Sequence, residues 1–521
     1  MILRTIVATS ANMHALDAVA RAERHARVAM HVVTKSETLS ETVPPETEVR
    51  FRNYDYVRRR VLLRAGRRGM MRALSAAACA RLAPPTAASR RWWHGHRRRV
   101  PARALATSSS AAASDDERRD VASSSPPLPR VLVLAGPTAV GKTSLSLDLA
   151  SKLDGEIISA DSVQVYRGLD VGSGKLAASE RRGIAHHALD VLDPSEDFNA
   201  GAFVDLALET VEDVVSRGKV PIVVGGTGMY LRWFVGGRPA TPASTPESSR
   251  AAKEEVRAAA AAAGWDGALK LLRDAGDPDT ADRVATNDWY RVERALEILR
   301  ASGRPLGSYA PESPPPFDFR CVLLDAPRVQ LYRRIDDRVE CMVCDGMLDE
   351  AAMMLRRGIA PGSTSAASAI GYRQAMEFLA ARAAAAAGGG GGGATTEEDL
   401  LAFVEKTQRA TRAFAKRQLT WFRGEPEGRY RWISASDGEE AAAREAMDAF
   451  ERDDDDDDRS RRAPAGGDAG KATGQELQEL KRYVARRTRL ADAKTTDRAL
   501  ARVDALAASL VDRPWEKNSS A

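Results

Sequence analysis

From about residue 126 onward, hydrophobic positions follow two alternating patterns. VLVLAG (131–136) is an unbroken apolar run that ends in glycine, the pattern of a strand buried on both faces. EIISA (156–160), PIVVGG (221–226) and RCVLLDA (320–326) read the same way. Between them the apolar residues recur at three-to-four spacing, which predicts helices over Lys142–Lys152 and Gly201–Arg217. Strands alternating with helices predict an α/β fold built on a parallel sheet flanked by helices.

Residues 240–315 break that alternation. They are rich in Ala and charge and helical in pattern, and TPASTPESS and PESPPP bound them, so an inserted helical subdomain is expected. The core resumes over 316–435, preceded by its first part at 126–239. IDDRVECMVCDGMLDEAAMML carries helical periodicity. AAAAAGGGGGG (383–393) reads as a flexible insert, and the run Asp453–Asp458 as a solvated spacer. Residues 436–521 are expected to be a poorly ordered acidic linker followed by one basic helix, at about 474–512.

Residues 1–125 do not read as a folded domain. Met71–Ser114 holds eight Arg and no Lys, Asp or Glu, among many Ala and Ser. That composition is typical of a transit peptide and points to a chloroplast or mitochondrion, with a disordered basic extension on a cytoplasmic protein as the alternative. Because the stretch begins at Met70–Met71, translation is expected to start there, and peptides from residues 1–69 in the precursor would contradict this.

Net charge is modest, with 77 Lys and Arg against 72 Asp and Glu. A nucleic-acid partner must therefore be argued from where the charge lies. No apolar run is long enough to span a membrane. Four cysteines are too few for a disulfide scaffold, and Cys341 and Cys344 lack the further ligands a zinc site needs.

Gly136-Pro137-Thr138-Ala139-Val140-Gly141-Lys142-Thr143 matches G-x-x-x-x-G-K-[ST] directly between a predicted strand and a predicted helix. Such a P-loop brings backbone N–H groups and a helix N-terminus to phosphate oxygens. Lys142 adds a compact cation, and the Thr143 hydroxyl suits Mg²⁺. The fold expected is thus a P-loop NTPase-like parallel sheet with an inserted helical subdomain. A small-molecule kinase would add an apolar strand ending in Asp. VLLD (322–325) is a distant candidate for it, while PIVVGG ends without an acid.

Further motifs narrow the reading. ISADSVQVYRGLDVGSGK (158–175), HHALDVLDP (186–194), GGTGMY (225–230) and NDWYRVERALEILRASGRPL (287–306) follow the loop. RIDDRVECM (334–342), GMLDEA (346–351), AIGYRQA (369–375) and TRAFAKRQLTWFR (411–423) complete the series. In this order, over Val131 to Trp432, the set resembles the tRNA dimethylallyltransferases, in the bacterial or organellar branch without a C-terminal zinc finger.

The resemblance implies that the loop holds the diphosphate of dimethylallyl diphosphate, with Mg²⁺, and that an adenosine amine of tRNA attacks the prenyl carbon. It implies Asp161 as general base, with a Mg²⁺-binding or helix-capping carboxylate as the alternative. Thr227 would lie near diphosphate and base, or else serve the turn among Gly225, Gly226 and Gly228. Arg338, and less strongly Arg334, would face the diphosphate, or else pair with Asp337 or Glu340 at the surface.

For tRNA the resemblance implies Asp161, Ser162, Val163 and Gln164 at the target adenosine, and Arg250 beyond it. It also implies Tyr290, Arg291, Val292, Glu293 and Arg294, then Ser368, Ala369, Ile370, Gly371, Tyr372 and Arg373. Lys416, Arg417, Gln418, Leu419, Thr420, Trp421, Phe422 and Arg423 complete the expected contacts. Residues 403–432 carry eight Lys or Arg against three Glu, interleaved with aromatics, which suits phosphate contact and base stacking or an amphipathic helix. An isopentenyltransferase acting on free adenylate would share the loop and Asp161 without needing 411–423 or the inserted helices. A P-loop kinase and a non-catalytic nucleotide-binding module are the remaining alternatives. Nothing in the chain requires more than a monomer.

Overall fold

The computed structural model describes residues 127–387, 394–452, 473–512 and 514–517. The Arg-rich stretch, residues 388–393 and Asp453–Asp458 lie outside the described residues, whereas residues 383–387 of the expected flexible insert are helical.

β1 (Arg130–Ala135) leads through the phosphate loop into α1 (Lys142–Leu153), then β2 (Gly155–Ala160) and the two-residue β3 (His186–His187). Next come α2 (Ala200–Ser216), β4 (Val220–Gly225) and α3 (Gly228–Gly236). α4 (Pro246–Ala275, interrupted at Ala263–Gly264), α5 (Pro278–Arg283) and α6 (Trp289–Ser302) follow. The chain continues through β5 (Asp318–Asp325), α7 (Arg328–Asp345), α8 (Met347–Arg356), α9 (Tyr372–Ala387) and α10 (Glu397–Arg423). β6 (Arg431–Ser434), α11 (Glu439–Glu451), α12 (Gly474–Lys481), α13 (Ala493–Ala508) and α14 (Pro514–Lys517) complete it.

The six strands form one parallel sheet in the order β3-β2-β4-β1-β5-β6. β1 sits inside it, and its side chains divide by the two-residue period of a strand. Leu132 and Leu134 enter a core with Leu145 and Leu149 of α1 and Leu331 and Ile335 of α7. Val131, Val133 and Ala135 enter the opposite core with Phe203 of α2 and Leu231 and Phe234 of α3. Burial on both faces explains why the strand reads as an unbroken apolar run.

α4, α5 and α6 pack on each other around Val256, Leu272, Val292 and Leu296, a small core of their own. A fourth core joins α7 through α10.

The expected tail differs from the structure. α11 is an ordered helix whose Ala442, Ala443, Ala446 and Phe450 enter the core under the sheet. The region expected as one helix is broken into α12, a 3-10 turn at Arg489–Ala491 and α13. Leu490, Val503, Leu506, Leu510 and Trp515 are buried against α8, α9 and α10. The apolar positions are sparse among charges but fall on one helical face, which outweighs the polar composition.

Candidate active site

Because all strands run parallel, the ends of β1, β2, β4 and β5 open onto one edge of the sheet, the usual ligand edge of an open α/β sheet. β1 delivers the loop 136–141, β2 delivers Asp161, β4 delivers Thr227 and β5 delivers Asp325.

The loop is tightly backed. A Cβ at Gly136 would lie 2.7 Å from the Leu324 carbonyl oxygen, so only glycine lets the chain turn there. Ala139 and Gly141 adopt positive φ, 63° and 113°, as the chain folds over the start of α1. Lys142 Nζ donates to the carbonyls of Gly136 (3.0 Å) and Pro137 (2.8 Å). Burial pushes the Lys142 ammonium down to about 8, opposed by the Asp161 charge and assisted by Arg338. Those effects place Lys142, Asp161 and Arg338 within electrostatic reach of one another. Thr143 is exposed at the first turn of α1.

Asp161 Oδ1 accepts the N–H groups of Val163 (2.8 Å) and Gln164 (3.2 Å), so this carboxylate does cap the turn after β2. Both bonds use one oxygen, which leaves Oδ2 for chemistry. The capping and base readings are thus compatible. Thr227 is the N-cap residue of α3 but makes no side-chain cap, so the helix start does not consume its hydroxyl.

Arg338 is not the surface charge that pairing with Asp337 or Glu340 would make it. It turns inward to the Ser173 carbonyl (3.4 Å) and covers Gly174, where a Cβ would fall 1.8 Å from the guanidinium. Burial depresses its basicity, opposed by Asp161. Arg334 is exposed and donates to the Val140 carbonyl at 3.1 Å, which sets α7 against the phosphate loop.

Several residues expected at tRNA have structural work instead. Gln418 is buried, accepts the Thr138 N–H (2.9 Å) and donates to the Gly226 carbonyl (2.9 Å), tying the phosphate loop to the end of β4. The Thr138 amide is thereby committed to Gln418 rather than to phosphate. Val292, Leu419, Phe422, Gly371 and Tyr372 are buried, which closes them to a macromolecule. Tyr372 donates to Glu350 (2.6 Å), and that carboxylate also accepts the N–H groups of Asp170, Val171 and Gly172. Gln164 faces inward, accepting from Ser159 (2.9 Å) and reaching toward the Ser173 and Gly174 carbonyls. Arg294 is held by Glu297 (2.6 Å) and the Pro242 carbonyl.

Ser162, Arg250, Tyr290, Arg291, Ser368, Arg373, Lys416, Arg417 and Thr420 remain exposed. Val163, Glu293, Ala369, Ile370 and Arg423 are partly covered. Lys416, Arg417 and Thr420 line a groove of about 560 Å³ together with Trp421 and Arg232. The Arg232 guanidinium stacks 4.0 Å over the Trp421 ring and pairs with buried Glu425 at 2.5 Å. Trp421 packs on the Gly228 backbone, next to Thr227. The groove therefore adjoins the sheet edge.

Glu350, Ser173 and Arg232 were missed as parts of the site. GMLDEA placed Glu350, and ISADSVQVYRGLDVGSGK placed Ser173, in motifs without a role for them, whereas Arg232 lies just outside GGTGMY. Cys341 and Cys344 are free thiols, and among the described residues no three His, Cys, Asp or Glu side chains gather as a metal site. No helix among the described residues is long and apolar enough to cross a membrane.

This site defines a P-loop enzyme of phosphorylated substrates, with a basic groove beside the loop. Residues 164–425 match the IPP transferase family, and residues 129–197 match the isopentenyl transferase family. The chain is 41% identical to tRNA dimethylallyltransferase 9 of Arabidopsis thaliana over 355 residues, covering 62% of this chain and 75% of that one. It is also 41% identical to tRNA dimethylallyltransferase 1 of Trichlorobacter lovleyi over 303 residues, 57% of this chain and 92% of that one. A solved eukaryotic dimethylallyltransferase acting on tRNA is 27% identical, with a TM-score of 0.50, over 68% of this chain and 84% of that one. The chain belongs to the tRNA dimethylallyltransferase family of IPP transferases.

Proposed function

We propose that this chain transfers the dimethylallyl group of dimethylallyl diphosphate to the exocyclic amine of the adenosine 3′ of the anticodon in tRNA. The observation that carries it is the convergence of Lys142, Arg338 and Asp161 at the phosphate loop, two cations and one carboxylate with an oxygen to spare.

The chemistry follows from those charges. The amine nitrogen attacks the allylic carbon, an N–C bond forms and the C–O bond to diphosphate breaks. Lys142, Arg338 and the loop amides not held by the protein take up the charge of the departing diphosphate. Asp161 Oδ2 takes the proton the amine loses. Mg²⁺ would neutralise further diphosphate charge. Thr143, exposed at the first turn of α1, would hold it, with substrate oxygens and water as the other ligands.

The exposed face of α10 and the inserted helices would offer tRNA its phosphate contacts, and Tyr290, 66% exposed, a stacking surface. A free adenylate would use neither. Labelled dimethylallyl diphosphate offered to tRNA and AMP together should leave its label in tRNA. Label in AMP alone would make the enzyme an adenylate isopentenyltransferase, and ATP hydrolysis without transfer would make it an ordinary P-loop enzyme.

A pH effect follows from Lys142. Its depressed pKa leaves it a cation below about 8 and neutral above. The kcat/KM for dimethylallyl diphosphate, which reports the free enzyme, is expected to fall as pH rises through about 8. In Lys142→Arg the guanidinium stays charged, and this alkaline limb should vanish. Persistence of the limb in that variant would assign it to another group.

We further infer that Met71–Ser114 addresses the protein to a chloroplast or mitochondrion, on composition alone. A fluorescent reporter carrying residues 70–125 at its N-terminus that stays in the cytosol would contradict this.

A further inference from the structure

α7 has two working faces, and only one meets the phosphate loop. Arg334 and Arg338 lie one turn apart and reach the Val140 and Ser173 carbonyls. Tyr332, Asp336 and Glu340 also lie one turn apart, two residues out of step, roughly 200° around the helix. That second face is covered by the C-terminal segment, which lies beyond the residues matched by the IPP transferase family.

The contacts on this face are specific. Glu340 is buried, and its Oε2 accepts the Thr488 N–H (2.9 Å), the Thr488 hydroxyl (3.0 Å) and the Leu490 N–H (3.0 Å). Asp336, also buried, accepts the Tyr483 hydroxyl at 2.7 Å and an Arg412 guanidinium N–H. The Tyr483 and Tyr332 rings meet edge to face at 5.6 Å, and Arg412 lies over both. Buried carboxylates are costly unless fully hydrogen-bonded, so α7 and the segment are bound to one mutual placement.

We propose that residues 483–490 form a strap that sets the depth and rotation of α7, with Tyr483, Thr488, Asp336 and Glu340 as positioning residues for Arg338 at the diphosphate. The proposal rests on the diphosphate-binding role of the loop. A helix rigid along its length transmits a shift of the rear face to the front face. The strap therefore acts on the donor side of the reaction through α7, and it meets α10 at Arg412, next to the groove residue Ala413.

The test is a cycle on the full chain, reading the binding of inorganic diphosphate with Mg²⁺ by calorimetry. Tyr483→Phe combined with Thr488→Val removes two hydroxyl donors and no backbone donor. In the Arg338 background this pair is expected to weaken binding about five- to tenfold, the scale of one ordinary hydrogen bond. In an Arg338→Ala background it should weaken binding less than about twofold, because the group being positioned is gone. Tyr483→Phe with Thr488→Ser, which restores the hydroxyl at 488, should recover most of the loss. Equal losses in both backgrounds, or no loss in either, would overturn the strap. A wild-type chain that binds diphosphate but prenylates no tRNA would defeat the proposed function alone, and the cycle would still decide the strap. Absence of diphosphate binding in wild type would overturn both.

Discussion

Asp161→Asn is expected to lower turnover of prenyl transfer by ~10²–10⁴-fold, the usual value of a general base. The variant is informative because Asp161 has two duties. Its Oδ1 accepts the Val163 and Gln164 amides, and an asparagine oxygen can accept both bonds. The turn after β2 should survive, with only the basicity removed. The KM for dimethylallyl diphosphate should therefore change little, while kcat collapses. Steady-state kinetics with tRNA in excess read the two separately. Were Asp161 a capping residue only, Asn would work nearly as well as Asp and Ala would be the damaging change.

Arg338→Ala is expected to reduce transfer ~10²–10³-fold, comparable to the loss of one strong donor to developing negative charge. Its effect on stability should run the other way. Arg338 is desolvated, and its contacts are the Ser173 carbonyl and the field of Asp161, not a paired carboxylate. Removing it relieves the burial of a charge and leaves no acid stranded, so the thermal midpoint should hold or rise. Thermal unfolding measured beside the kinetics separates the outcomes. A large drop in midpoint would make Arg338 a structural residue, and full activity would return it to the surface-charge reading.

What could be read in advance depended on how local the signal was. The inner strands β1, β2, β4 and β5 announced themselves because burial on both faces demands unbroken apolar runs. β3, with two residues, and β6, with four at the sheet edge, carry no such run. α11 was hidden because Ala442, Ala446 and Phe450 make a narrow apolar stripe in a charged segment. The phosphate loop was legible from eight contiguous residues. Gln418 was not, since the amide it holds is 280 residues away, and nothing in a basic, aromatic-rich stretch separates buried polar partners from exposed ones. The same limit explains Val292, Tyr372, Leu419 and Phe422. A motif records that residues belong together, whereas burial decides which of them face the substrate and which hold the others in place.

The central claim is that one adenosine of tRNA receives the prenyl group. The direct measurement is mass spectrometry of nuclease fragments from tRNA incubated with the purified chain, Mg²⁺ and dimethylallyl diphosphate. A mass gain of one dimethylallyl group is expected in the fragment holding the adenosine 3′ of the anticodon, and nowhere in a transcript carrying guanosine there. A gain at other adenosines, or no gain while AMP in the same tube is prenylated, would contradict the account.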